Sequence, residues 1–444
     1  MSNLQSVDSI VHARWLIPVD ADHSVLENYA LILHQGRIKD RLPSSEVASH
    51  YQSHQVHHLD THALIPGFVN AHTHAAMNLL KGYADDYALM DWLQNYIWPA
   101  EQKWISEEFV EDGCRLALAE MIRGGTTCFG DMYFYPEVAA RVAHDVGIRA
   151  CIGLIVIDFP SAWASDAHEY LEKGLELHDQ LGQWPLITSM FAPHSPYTVS
   201  GPILEQISVL SDELNIPVQM HVHETAWEVE ESIKLHQKRP LARMHELGLV
   251  NPALMAVHMT ALTDDEIELL AQSGAHVVHC PESNLKLVSG LCPVDQLQKA
   301  GVNVALGTDG AASNNDLSMI GEMRTAAMIG KIVAQSSESL NAYDVLQMAT
   351  LNGARALGLD QEIGSLEVGK AADAVAVNLN QIANIPIYHP VSQIIYTAND
   401  SNVSHVWIAG NLLLNEGEFC TMDENALRTK AMQWQTKIAG INES

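Results

Sequence analysis

Between residues 64 and 310 the chain alternates eight times between a short β-branched, apolar run and a longer amphipathic stretch. The runs fall at 64–70, 126–132, 149–157, 187–193, 217–223, 253–259, 276–282 and 303–310. Between them apolar residues recur at helical spacing, over Glu107–Arg123, Glu137–Val146, Ala167–Leu181, Pro202–Leu214, Val229–Leu247, Asp264–Gln272 and Val294–Ala300. A strand followed by a helix long enough to cross back makes its next strand parallel to it. Eight such units predict a closed (β/α)8, TIM-like barrel, and periodicity alone leaves a doubly wound open sheet as the alternative. Helical spacing continues beyond the eighth run, at Ser318–Ala334 and Ala342–Leu357.

The flanks read differently. Residues 8–62 are short β-segments with turns, including Ala30–His34 running through Gln35-Gly36 into Arg37-Ile38, a hairpin pattern. After Leu359 the β-character returns at Ala374–Val377 and Val406–Asn411. The two ends resemble each other more than either resembles the middle. The expected organisation is a small β-sandwich domain built from 1–62 and 365–444, flanking a barrel at 63–364.

A chain of 444 residues that is 47% hydrophobic can fill a barrel core. Its formal net charge of −30 argues against nucleic acid or an anionic membrane as partner, since both need a positive face. None of the six cysteines forms a Cys-x-x-Cys pair, and the N-terminal stretch Met1–Asp8 has no basic region leading into an apolar run. No segment offers ~18 consecutive apolar residues. A soluble, cytoplasmic protein with reduced thiols is expected.

In a parallel barrel the active site collects at the C-terminal ends of the strands, so the residues closing each strand carry the functional information. The first run ends in Pro66-Gly67-Phe68-Val69-Asn70-Ala71-His72-Thr73-His74, whose i and i+2 histidines share one face of a strand. The fourth ends in His194, the fifth in His221-Val222-His223-Glu224, the sixth in His258 and the eighth in Gly307-Thr308-Asp309-Gly310. The seventh carries His279-Cys280-Pro281, followed by Ser283 and Asn284. With 23 histidines in the chain a lone one means little, and His168, His178, His236 and His245 lie in helical stretches as surface or capping residues. Their concentration at strand ends is the signal. Three imidazoles and a carboxylate suit Zn²⁺, with Fe²⁺ as a substitute, and a catalytic site keeps a position open for water. The expected ligands are His72, His74, His221 and Asp309. His223 shares the parity of His221 and competes with it. His221 is preferred because Glu224 then falls just past the strand end, leaving His223 to supporting hydrogen bonds.

The Pro-Gly-Phe-Val-Asn-Ala-His-Thr-His run, His-Val-His-Glu at 221–224, His-Cys-Pro-Glu-Ser-Asn at 279–284, Thr-Asp-Gly at 308–310 and Gly364–Asp373 together resemble the amidohydrolase superfamily over nearly the whole chain. Within it the chain is most similar to the methylthioadenosine/S-adenosylhomocysteine deaminases, with guanine deaminases and triazine hydrolases as near neighbours. The resemblance implies a hydrolytic deaminase of 5′-modified adenosines, with a small nucleoside as partner and a homo-oligomer, dimer or tetramer, as assembly. Binuclear members bridge two ions with a carboxylated lysine on the fourth strand. The fourth run here, Ile187–Pro193, has no lysine, which implies a single ion.

The implied roles are specific. Zinc lowers the pKa of a water that it holds. Asp309 binds the metal and accepts the water proton, Glu224 donates it to purine N1, and His258 holds the attacking hydroxide. The resemblance also places Glu101 on the ribose hydroxyls, where one carboxylate can accept from two vicinal groups, and His194 on the substrate. Trp92 and Trp98 near Glu101 suit either a pocket cap or packing, and Met77, Met132 or Met190 suit either a methylthio slot or core. The competing readings are a hydrolase of a bare heterocycle, which has no ribose for Glu101, and a non-catalytic scaffold, which the complete set of polar strand ends opposes.

Overall fold

The structure, a computed structural model, describes residues 4–440; Met1–Asn3 of the N-terminal stretch and residues 441–444 lie outside it. Eight parallel strands run Phe68–Thr73, Thr126–Asp131, Arg149–Val156, Ile187–Pro193, Val218–Val222, Leu254–His258, His276–His279 and Asn303–Leu306. They neighbour one another in chain order. A doubly wound sheet would reverse its order at a switch point, so the open-sheet alternative is excluded. The first and eighth strands meet through a parallel bridge between Thr73 and Asp309, where the Asp309 N–H donates to the His72 carbonyl at 3.1 Å. Gly307 permits that approach, since a Cβ there would stand 2.9 Å from His72 Cβ.

The barrel interior is filled by Val69, Ala71, Cys128, Cys151, Met190, Met255, Val257, Val278 and Ala305. Its N-terminal end is closed by the helix Leu351–Ala356, whose Asn352 side chain donates to the Val304 carbonyl at 3.0 Å. The opposite end stays free for chemistry.

Several elements differ from the sequence reading: the seventh run is strand only to His279, with a helix from Pro281, the eighth is strand only to Leu306, and three other stretches are divided. The run 64–70 is two strands in two sheets: Gln55–Pro66 belongs to the terminal sheet, and the barrel begins at Phe68. Both parts are buried, so no polar alternation marks the break. Gly67 makes it, because a Cβ at that junction would stand 2.0 Å from Thr127 Oγ1. The stretch 229–247 is two helices, Ala226–His236 and Pro240–Glu246, because Pro240 cannot continue a helix but can begin one. The stretch 342–357 divides at Thr350 into Ala342–Met348 and Leu351–Ala356.

Both chain ends build one mixed eight-stranded sheet. Its central strand Gln55–Pro66 lies parallel to Ser9–Leu16 on one side and antiparallel to Ala374–Asn378 on the other. Val11, Leu31 and Ile38 share a core with Ala374, Ala376 and Trp407, so neither end completes the fold alone. A buried two-pronged ion pair ties this unit to the barrel: Arg149, opening the third strand, donates to both oxygens of Asp373 at 3.0 and 3.2 Å. All six cysteines are free and only Cys420 is exposed. No helix among the described residues is long and apolar enough to cross a membrane.

Candidate metal centre

His72, His74, His221 and Asp309 each present one ligand atom, and these four atoms lie within 4.8 Å of one another. The Nε2 atoms of His72 and His221 are 3.1 Å apart, and Asp309 Oδ1 is 3.4 Å from His72 Nε2 and 3.2 Å from His74 Nε2.

The tautomers follow from the partners on the other ring nitrogens. His74 Nδ1 faces the Met132 carbonyl at 2.6 Å and His221 Nδ1 the His194 carbonyl at 2.8 Å. A carbonyl only accepts, so both Nδ1 atoms carry the proton. His72 Nδ1 faces Gln219 Oε1 at 2.8 Å, an orientation fixed because Gln219 Nε2 donates to the Ala71 carbonyl at 2.7 Å. Against its burial, the Asp309 carboxylate beside His74 Nε2 pushes the His74 pKa up to about 9. Burial lowers the pKa of His72 and of His221, so their Nε2 lone pairs point at each other with no proton between them. That arrangement is repulsive unless a cation sits at the focus, and it is how metal-binding histidines are oriented by their neighbours. Asp309 completes the donor set as a carboxylate, with Ser283 and Ser313 hydroxyls donating to Oδ2 at 2.7 and 3.0 Å. Three imidazoles and one carboxylate are a donor set that fits zinc, whose binding displaces any proton from the ligating nitrogens.

Gln219 is wholly buried and makes no other side-chain hydrogen bond among the described residues. Gln219→Leu removes the acceptor that orients His72. Zinc affinity is expected to fall about 10- to 100-fold, read by competition with a chromophoric chelator.

Two further groups face the focus. His258 closes the sixth strand with its ring stacked on His221 at 5.4 Å. Asn284 Nδ2 donates to His258 Nδ1 at 3.0 Å, which leaves the proton on Nε2, directed toward Glu224 Oε2 4.0 Å away. Burial lowers the His258 pKa to about 4, so the ring is neutral. Glu224 accepts from the Ser289 hydroxyl at 3.1 Å. Burial, reinforced by the charge of Asp309, pushes its pKa up to about 7, the range in which a carboxyl both gives and takes a proton at neutral pH.

The remaining sequence candidates separate. The ring of His194 packs on His221 at 4.8 Å, and burial lowers its pKa to about 3. Glu101 lies in the helix Trp98–Trp104 and accepts from the Tyr133 hydroxyl at 2.8 Å; the Tyr133 ring in turn lies 6.5 Å from His74. Burial pushes the Glu101 pKa up to about 7 against that hydrogen bond. His223 leaves the centre. The strand ends at Val222, His223 takes a left-handed φ of +53°, and its Nε2 accepts from the Leu241 N–H at 3.2 Å. Trp92 is buried and donates to the Ala84 carbonyl, whereas Trp98 is exposed. Met190 fills the barrel interior, and Met77 and Met132 are buried in the larger core around the strands.

The amidohydrolase family matches residues 63–413. The chain is 48% identical over 438 residues to the 5-methylthioadenosine/S-adenosylhomocysteine deaminase of Saccharophagus degradans, covering 99% of this chain and 98% of that one. It is 45% identical to the enzyme of the same name from Teredinibacter turnerae, covering 99% of each. The crystal structure of an adenosine deaminase from Xanthomonas campestris with bound zinc superposes with a TM-score of 0.98 at 49% identity, covering 99% of this chain and 100% of that one.

Proposed function

Because the chain belongs to the amidohydrolase family, we propose that it is a zinc-dependent aminohydrolase that replaces the 6-amino group of 5′-modified adenosines by oxygen, releasing ammonia. The substrates are methylthioadenosine and S-adenosylhomocysteine, in keeping with the names of its full-length relatives. The observation that carries the reading is the pairing of Glu224 and His258 over a focus of three imidazoles and a carboxylate.

His72, His74, His221 and Asp309 would hold one zinc ion, and the fourth strand offers no lysine to bridge a second. When bound, the ion supplies Lewis-acid activation of water near neutral pH. The chain's own groups do the rest. His258 Nε2–H orients the attacking oxygen and stabilises charge as C6 becomes tetrahedral. Asp309 takes the water proton at its carboxylate. Glu224 delivers a proton to purine N1, the proton taken up by Asp309 passes to the departing amine as the C6–N bond breaks, and the C6 hydroxyl proton returns to Glu224 as the carbonyl forms. Glu101 accepts from the ribose hydroxyls while Tyr133 fixes its orientation, and His194 is a second substrate contact. The family reading carries with it a cytoplasmic homo-oligomer, dimer or tetramer.

An ammonia-release assay across adenine nucleosides tests the assignment. Methylthioadenosine and S-adenosylhomocysteine are expected to be the best substrates and free adenine or guanine the worst. Glu101→Ala should raise KM for the nucleosides about 10-fold or more, the cost of two unpaired hydroxyls at a buried site. An unchanged KM in that variant would point instead to a bare heterocycle as substrate.

A further inference from the structure

Glu224 sits on a backbone turn that nothing in the strand–helix pattern stabilises. The fifth strand stops at Val222, His223 turns left-handed, and the helix Ala226–His236 begins only after Thr225. The turn's carbonyls are taken from one side: the Thr260 N–H donates to the His223 carbonyl at 3.0 Å and the Thr260 hydroxyl to the Glu224 carbonyl at 2.8 Å. Its two N–H groups are taken from the other side by a single side chain. Glu228 Oε1 accepts from the His223 N–H at 3.0 Å, and Oε2 accepts from the Glu224 N–H at 2.9 Å. Glu228 is buried, at 4% exposure. An acid near the start of a helix ordinarily reaches back to the N–H of the capping residue itself. Here it reaches past Thr225 and spends both oxygens on the two residues before it.

We infer that Glu228 is a positioning residue for the reaction: its carboxylate fixes the turn that aims Glu224 at the substrate. This rests on the reading of Glu224 as the proton-transfer group. Two N–H donors converging on two oxygens favour the carboxylate form, and they oppose the burial and the neighbouring Glu224 charge that push the Glu228 pKa up to about 8. A glutamine in its place turns an NH2 toward one of the backbone N–H groups and loses that bond. The fastening also has an access route. A cavity of about 210 Å³ is lined by Glu228 together with Tyr197, Trp227 and Arg243, so a small carboxylate can enter where the side chain is removed.

The test compares Glu228→Gln, Glu228→Ala and Glu224→Gln, each with its zinc content and thermal midpoint measured. Glu228→Gln is expected to lower kcat about 10- to 100-fold with KM changed less than about threefold and zinc retained. Glu228→Ala is expected to fall further and to regain activity with added acetate but not acetamide, beyond any effect of acetate on the parent enzyme. The inference is overturned if Glu228→Gln keeps kcat within about twofold. It is equally overturned if the losses track zinc content or folded yield without an acetate response, because Glu228 would then be structural only. The Glu224→Gln arm separates the two readings. Near-normal turnover there removes Glu224 from the chemistry, whereas an inactive Glu224→Gln beside fully active Glu228 variants removes only Glu228.

Discussion

Glu224→Gln is expected to lower kcat about 10³-fold or more while the protein still binds one zinc per chain. The substitution keeps size and the acceptor for the Ser289 hydroxyl, 3.1 Å away, and removes only the ability to carry a proton. It leaves untouched the four residues whose ligand atoms converge, since Glu224 is not among them. Stability should change little, because a buried carboxyl whose pKa is raised by burial is no anchor of the fold at neutral pH. A thousandfold loss corresponds to about 4 kcal/mol of transition-state stabilisation, more than one neutral hydrogen bond supplies and within the range of a proton-transfer group. Steady-state kinetics beside metal analysis reads both quantities. Turnover within about tenfold of the parent would assign the proton transfer elsewhere, with Asp309 the remaining carboxylate at the focus.

Sequence and structure part company at identifiable residues. The convergence of His72, His74, His221 and Asp309 was legible because each closes a strand, and strand ends are what a barrel gathers in space. Glu224 and His258 followed from the same rule. The residues that hold these groups were not legible. Gln219 carries a signal in hindsight, a polar residue two positions before His221 on the same strand face, yet a buried Gln on a strand has many possible partners. Ser283 and Asn284 stand in the quoted His279–Asn284 run, but that they meet Asp309 and His258 depends on how a six-residue helix leaves the seventh strand. Tyr133 and Ser289 come from loops, whose course no periodicity dictates. One backbone torsion separates His223 from His221: a left-handed His223 breaks the alternation on which shared parity depends.

Removing the metal is expected to take activity to background and to lower the thermal midpoint by a few degrees, with zinc restoring both. The first effect follows from the chemistry, since the ion is what would bring the pKa of the attacking water down to near neutral pH. The second follows from linkage. A ligand that binds only the folded chain, present at about 1,000 times its dissociation constant, adds about 4 kcal/mol to stability. The geometry argues that the folded chain pays for this site when empty. His72 and His221 direct unprotonated Nε2 atoms at each other over 3.1 Å, and Asp309 buries a carboxylate beside them. A cation at the focus reverses both penalties together, so activity and thermal midpoint should return along one titration curve that saturates at one ion per chain. Iron(II) suits the same donor set and is expected to restore stability as well as activity. Activity that survives once bound metal has been shown to be absent would refute the metal-dependent mechanism. A second equivalent needed for full activity would refute the single-ion site inferred from the lysine-free fourth strand.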